Sequence, residues 1–142
     1  LKISRGLMDQ ILGHARKGYP FEVCGVLLGS NGAAARRVDR VVPAVNRERE
    51  APRVRYEIAP EDLVQIQREG RDEGREIIGY YHSHPDHPAQ PSETDRRIAA
   101  EGLSDGVVHV VVGVERGERA FPSAWVFRDR TRAFEEEPLE IE

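Results

Sequence analysis

The segment His82-Ser83-His84-Pro85, followed by Ser92 and Asp95, carries the residue types and spacing in this chain that could do chemistry. Successive side chains on a strand point to opposite faces, so His82 and His84 project the same way, about 6–7 Å apart. Both imidazoles reach one ion if the strand end bends, and Pro85 favours a bend by ending the pairing. The loop Asp86–Pro91, stiffened by Pro88 and Pro91, then delivers Asp95 on the first turn of a following helix. Two nitrogens and one carboxylate oxygen leave a fourth tetrahedral position open, which marks a catalytic rather than a structural site. Two imidazoles favour zinc or its neighbours. His82, His84 and Asp95 are therefore candidate metal ligands. Glu22, at the head of the apolar run Glu22–Gly29, is a candidate base, and Ser92 is a hydroxyl beside the ion. Together they predict a zinc hydrolase.

Other chemistry-bearing residues have plainer readings. Ser92-Glu93-Thr94-Asp95 has the form of a capping sequence, so capping and catalysis compete for the Ser92 hydroxyl. Cys24 reads as a buried structural thiol, since no base is legible beside it. His87 lies in the stiff loop, but the open coordination position argues against it as a fourth ligand. His14 reads as a helix-surface residue, His109 as a strand residue and Trp125 as core. Tyr80 and Tyr81 flank the site along its strand, either as groove lining or as core.

The elements that must hold these residues are visible in the pattern. Ser4 can cap a first helix, with Leu7, Met8, Ile11, Leu12 and Ala15 at helical spacing and Gly18 as its stop. Val23–Leu28 reads as a buried strand ending in a hairpin turn over Gly29–Gly32, with a partner strand at Arg36–Val42 and another at Val54–Ile58. Pro60 begins a second helix with Leu63, Ile66 and Val64 inward, fading at Gly70–Gly74. Ile77–His84 is the histidine strand and Ser92–Ala100 the third helix. Val107–Val114 and Ala124–Phe127 are strands joined through a turn at Glu115–Glu118, and Phe134–Ile141 adds an edge strand. Strands and helices alternate only in part. The fold class expected is α/β, one compact domain over residues 1–142 with a mixed sheet flanked by helices.

Composition narrows the function classes. The chain has 142 residues, 39% hydrophobic and 32% charged, which is the balance of a globular domain with one core. A net charge of −4 gives no footprint for nucleic acid. The run Glu135-Glu136-Glu137 reads as a solvated edge. No apolar run approaches the ~20 residues of a membrane span, and no signal-peptide pattern opens the sequence. One cysteine makes no internal disulfide, which fits a reducing cytoplasm.

Glu22, His82-Ser83-His84-Pro85, Ser92 and Asp95 at these intervals resemble the JAMM motif of the MPN/Mov34 metalloproteases. Glu22–Gly29 resembles the family's first strand, and Asn46, Tyr56-Glu57-Ile58 and Gly79-Tyr80-Tyr81 sit where similar residues recur in bacterial members; the likeness covers roughly residues 4 to 128. The resemblance implies a deaminase-like sheet, zinc held by His82, His84 and Asp95, Glu22 as the base and Ser92 steadying the oxyanion. It also implies a substrate: a ubiquitin-like or sulfur-carrier protein, cut after its C-terminal Gly-Gly. The short gap from Asp95 to Val107 favours the bacterial subgroup that acts on sulfur carriers. Two related readings share the motif. One is a non-catalytic MPN scaffold, and this chain keeps every ligand such a scaffold would have lost. The other is a RadC-like protein linked to DNA repair, whose His-x-His-Pro and Ser-x-x-Asp pattern is similar. Against it stand the Cys24–Gly29 strand and the absent basic patch. A base deaminase would need a Pro-Cys-x-x-Cys pair that this chain lacks.

Overall fold

Ser4 starts the first helix by accepting the Leu7 N–H at 3.2 Å, as its cap position predicts. In the computed structural model, which describes residues 1–32 and 35–142, β1 (Lys2–Ile3) leads into this helix, α1 (Arg5–Gly18). Then follow β2 (Cys24–Asn31), β3 (Arg36–Ala44), α2 (Pro60–Asp72) and β4 (Glu76–Pro85). The rest of the chain forms α3 (Glu93–Glu101), β5 (Val108–Glu115), β6 (Arg119–Arg128), β7 (Ala133–Glu137) and β8 (Glu140–Ile141). Among the described residues the strands form one mixed sheet in the order β7-β6-β5-β4-β2-β3-β1-β8. The pairs β4/β5, β1/β3 and β1/β8 are parallel and the others antiparallel.

The sheet is covered on both faces, which is why β2 and β5 read as continuous apolar runs instead of alternating ones. On one face α1 buries Met8, Ile11, Leu12 and Ala15 against Val23, Leu27, Tyr81 and alternate valines of β5. Each large side chain buried there contributes roughly 1.5–3 kcal/mol. On the other face, Cys24, Val26 and Leu28 pack with Ile58 and Ile66 beneath α2. His82 and His84 are buried in β4, and register pairs Cys24 with His82, which puts the histidines on this second face.

Four expectations are corrected. Val54–Ile58 is not a strand. Its backbone is tied by the Asn46 side chain, whose Nδ2 donates to the Arg55 carbonyl and whose Oδ1 accepts the Glu57 N–H. One amide thus replaces a ladder. Val64 is 47% exposed on α2, so that helix buries a narrower stripe, with Ile66 and Gly70 inward. The hairpin turn does not fall over 29–32, because β2 continues through Asn31; the connection passes residues 33 and 34, outside the described residues. The C-terminal edge strand divides at Pro138-Leu139 into β7 and β8, which lie at opposite ends of the strand order. The three steps from Glu137 to Glu140 span at most ~11 Å, so the sheet must curl until its ends meet. At that seam the Leu1 amino group donates to the Pro138 carbonyl at 2.8 Å, and Arg36 pairs with Glu137 at 2.6 Å.

Candidate metal centre

β4 ends as a strand bordered on both sides, its His82 paired with Cys24 of β2 and Val111 of β5. The ladder runs on to Pro85, opposite Val114, so the proline does not cut it short at His84. The bend comes at Asp86, whose φ of 57° suits a short polar residue. Asp86 is held there: its N–H donates to the Val114 carbonyl at 2.7 Å, Oδ1 accepts the Arg116 N–H at 2.8 Å, and Oδ2 accepts the Tyr19 hydroxyl.

The Asp86–Pro91 loop is pinned from the sheet side. Its Ala89 carbonyl accepts Trp125 Nε1 at 3.2 Å and the Ser123 hydroxyl. Trp125 is therefore a half-buried tether and not a core residue. A Cβ on Gly113 would run into the Phe121 ring and lie 2.9 Å from the His87 carbonyl oxygen, so β5 needs a glycine between that ring and the crossing loop. The Pro88 carbonyl then accepts the Nδ1–H of His84 at 3.1 Å. That bond puts a proton on Nδ1 and turns Nε2 inward, where it would offer its lone pair to a cation.

Three atoms converge. His82 Nε2 and His84 Nε2 lie 3.1 Å apart, and Asp95 Oδ2 is 3.1 Å from each. Ligand bonds of about 2.0–2.2 Å around a tetrahedral ion put its donor atoms roughly 3.3 Å apart, so the three fit a divalent cation. A ring of Tyr56 stacks on His82 at 4.6 Å between centroids and 23° between planes, holding the imidazole in plane. Burial lowers the basicity of His82. Burial would raise the Asp95 carboxyl, but bonds from both histidines and the Ser92 N–H outweigh it and hold Asp95 well below the usual carboxylate range. Burial likewise opposes a proton on His84, yet the hydrogen bond and charge of Asp95, with Glu22, win and raise it.

Glu22 is the second carboxylate at this cluster, with an oxygen within 4.8 Å of a nitrogen on each histidine. It precedes β2 and is fixed through its backbone: its N–H donates to the Pro52 carbonyl at 2.8 Å and its carbonyl accepts Asn46 Nδ2 at 3.1 Å. Next to it, Val23 exchanges bonds with Ser83, N–H to Oγ at 2.9 Å and carbonyl to N–H at 3.1 Å, which locks Glu22 against the histidine strand. The side chain is 4% exposed, and Oε1 has no partner among the described residues. Burial, with Asp95 adding and His84 opposing, pushes the Glu22 carboxyl up to about 8. Of the two carboxylates, Asp95 is held low and lies at ligand spacing, while Glu22 makes no ion pair with either histidine and its carboxyl is raised.

Ser92 is the N-cap of α3, accepting the Asp95 N–H at 3.0 Å. It lines a cavity of about 340 Å³ together with Glu22, His84 and His87. A second cavity of about 210 Å³, lined by Tyr56, Tyr80, His82, Asp95, Ile98 and His109, lies on the other side of the convergence. The structure thus brings Glu22, His82, His84, Ser92 and Asp95 together, and Tyr80 lines a cavity while Tyr81 is core. Cys24 is buried, and burial with Glu22 pushes its thiol up to about 12, which suits a structural residue. His14 is not a surface residue, since its Nδ1 meets the Tyr81 hydroxyl at 2.7 Å across the α1 interface. Sequence reasoning missed the supporting roles of Tyr56, Ser83 and the Pro88 carbonyl; a serine between two candidate ligands was the one available signal.

A family model described as prokaryotic homologs of the JAB domain matches residues 4–128. A desampylase from Haloferax volcanii is 42% identical over 104 residues, 70% of this chain and 73% of that protein. A CysO-cysteine peptidase from Mycobacterium tuberculosis is 37% identical over 101 residues, 71% of this chain and 66%, just under two thirds, of that protein. A JAB1/MPN domain protein from Archaeoglobus fulgidus shares the fold with a TM-score of 0.63 at 24% identity, covering 99% of this chain and 98% of that one. With the match running through all three helices and five of the eight strands among the described residues, this chain belongs to the family of prokaryotic JAB-domain proteins.

Proposed function

We infer that the chain is a zinc-dependent peptidase that hydrolyses the bond after the C-terminal Gly-Gly of a ubiquitin-like or sulfur-carrier protein. The observation that carries this reading is the convergence of His82 Nε2, His84 Nε2 and Asp95 Oδ2 at 3.1 Å beside the buried Glu22. The relatives named desampylase and CysO-cysteine peptidase support the substrate class. A zinc ion held by these three residues would supply Lewis acidity, making a water acidic near neutral pH and polarising the scissile carbonyl.

The chain's own residues supply the rest. Glu22, whose carboxyl titrates at about 8 when no cation is near, takes a proton from the attacking water and passes it to the leaving nitrogen. The water oxygen bonds to the carbonyl carbon, the C=O pair moves onto oxygen, and the C–N bond then breaks as the nitrogen takes the proton. The Ser92 cap uses only an oxygen lone pair, so the hydroxyl proton stays free to donate to the oxyanion. Capping and catalysis therefore do not compete. Because Glu22 protonates the departing amine, the leaving group occupies the cavity Glu22 lines. The acyl side, with its tail, runs toward the cavity of Tyr56 and Ile98. Glycine at the cut lets the carbonyl approach a buried centre that a Cβ would hold off.

The test is intact mass. A carrier ending in Gly-Gly and extended by one cysteine or a short peptide is incubated with the zinc-loaded enzyme. Loss of the extension alone is expected, abolished by chelator and by Glu22→Gln. Intact carriers alongside scattered cuts in unfolded peptides would leave a metallopeptidase and remove the Gly-Gly specificity.

A further inference from the structure

We propose that Arg53 determines the leaving-group specificity of this site by binding a free α-carboxylate, so that the preferred substrate is a carrier extended by a single amino acid. The inference rests on the peptidase reading above.

Arg53 is the one Lys or Arg side chain lining the Glu22 cavity among the described residues. Its position is built. The turn over residues 51–55 is closed by Val54 N–H and Arg55 N–H, both donating to the Ala51 carbonyl, at 3.1 and 3.0 Å. The Glu48 carboxylate accepts the N–H groups of Glu50 and Ala51 on the approach to that turn, each at 3.2 Å. The Pro52 carbonyl, one residue before Arg53, takes the Glu22 N–H at 2.8 Å, and Asn46 Nδ2 bridges the Glu22 and Arg55 carbonyls at 3.1 Å each. The backbone that presents the guanidinium is thus bonded directly to the backbone of the proton donor.

The exposed guanidinium lies 5.9 Å from the Phe21 ring centroid, at the outer reach of a cation–π contact, and its N–H fork makes no hydrogen bond among the described residues. Its neighbours Arg47 and Arg55 are ion-paired, with Glu57 at 3.0 Å and Glu48 at 3.7 Å. Arg53 has no such partner among the described residues. A planar fork beside a small cleft matches a carboxylate.

Chain geometry then selects the ligand. The carboxylate of a one-residue leaving group lies two bonds from the nitrogen that Glu22 protonates, and each added residue carries it about 3.3–3.6 Å farther away. The cavity of about 340 Å³ stands at the small end of ligand clefts, room for an amino acid but not for the surface of a second folded protein. An internal lysine linkage offers no carboxylate at this distance.

The test compares two forms of one Gly-Gly carrier, extended by cysteine as the free acid or as the carboxamide. The acid is expected to show ~5–10-fold higher kcat/KM, what one partly exposed charge-assisted contact supports. Arg53→Met should bring the acid down to the amide's level with zinc content and melting temperature kept, and Arg53→Lys should recover part of the preference. Equal rates for acid and amide in the wild type, or an equal loss of both in Arg53→Met, overturn the role of Arg53 and leave the peptidase reading standing. No cleavage of either carrier by zinc-loaded enzyme overturns both.

Discussion

Asp95 and Ser92 hold each other at the head of α3: Asp95 Oδ2 accepts the Ser92 N–H at 2.8 Å, and the Ser92 hydroxyl accepts the Asp95 N–H at 3.0 Å. The same Oδ2 lies 3.1 Å from both histidine Nε2 atoms. A capping box therefore aims the carboxylate at the two histidines, and the helix start and the candidate site are one piece of structure.

Ser92→Ala removes an acceptor from the cap and a donor from the cavity. Stability should fall by ~1 kcal/mol through the cap. Turnover should fall ~10²–10³-fold through the oxyanion. Ser92→Thr should restore both. Chemical denaturation and steady-state kinetics on the three proteins separate the effects. A variant that loses stability and keeps its turnover would reduce Ser92 to a cap.

His109 gives the metal-free protein an acid-sensitive component. Burial, with a contribution from His82 and opposition from Asp95, pushes it down to about 4 from an ordinary 6.5. The unfolded chain then binds the proton more readily, so this component is fully present above about 6.5 and is lost as pH falls toward 4. Its size is on the order of 3–4 kcal/mol at most. Glu22, raised to about 8 from 4.5, works the other way and weakens the metal-free fold as pH rises through that interval. The readout is therefore the difference between wild type and His109→Leu in urea melts at several pH values. The difference should shift in favour of the variant between pH 6.5 and 4, and a pH-independent difference would contradict the assignment.

The loop that fixes the His84 tautomer depends on its tether to β6. Removing Trp125 Nε1 and the Ser123 hydroxyl together, as Trp125→Phe with Ser123→Ala, should free the Ala89 carbonyl and loosen the Pro88 acceptor. Losses of supporting bonds of this kind cost ~10–100-fold in metal affinity, and the lower end is expected here. Chelator competition measures it. Unchanged affinity would mean that Pro88 is held by the loop's own prolines.

Much of this was legible because it is local. The Ser4 cap, the helical spacing of Met8 to Ala15, the His-x-His alternation and the Ser92–Asp95 box each occupy a few consecutive residues and have one physical reading. What escaped depends on partners distant in sequence. Val54–Ile58 has strand composition, but the Asn46 amide satisfies its backbone in an irregular path. The division of the C-terminal strand follows from sheet curl, which brings residue 138 beside residue 1. Trp125 reads as core until the Ala89 carbonyl is placed 3.2 Å from its indole nitrogen. The family resemblance marks Tyr56, but nothing local in the sequence says that its ring stacks on His82, 26 positions away.

By spacing, Asp95 and not the nearby Glu22 would complete the metal set with the two histidines. Elemental analysis of zinc in wild type, Glu22→Gln, His84→Ala and Asp95→Asn, each purified without added metal and checked for folding by circular dichroism, tests it most directly. Glu22 has an oxygen within 4.8 Å of the imidazole nitrogens and is the alternative third ligand, but only Asp95, at 3.1 Å from both, is paired with them. Wild type and Glu22→Gln should therefore carry about one zinc per chain, and the other two variants far less, since a three-residue site rarely survives the loss of one ligand. Full zinc in Asp95→Asn together with loss in Glu22→Gln would contradict the account.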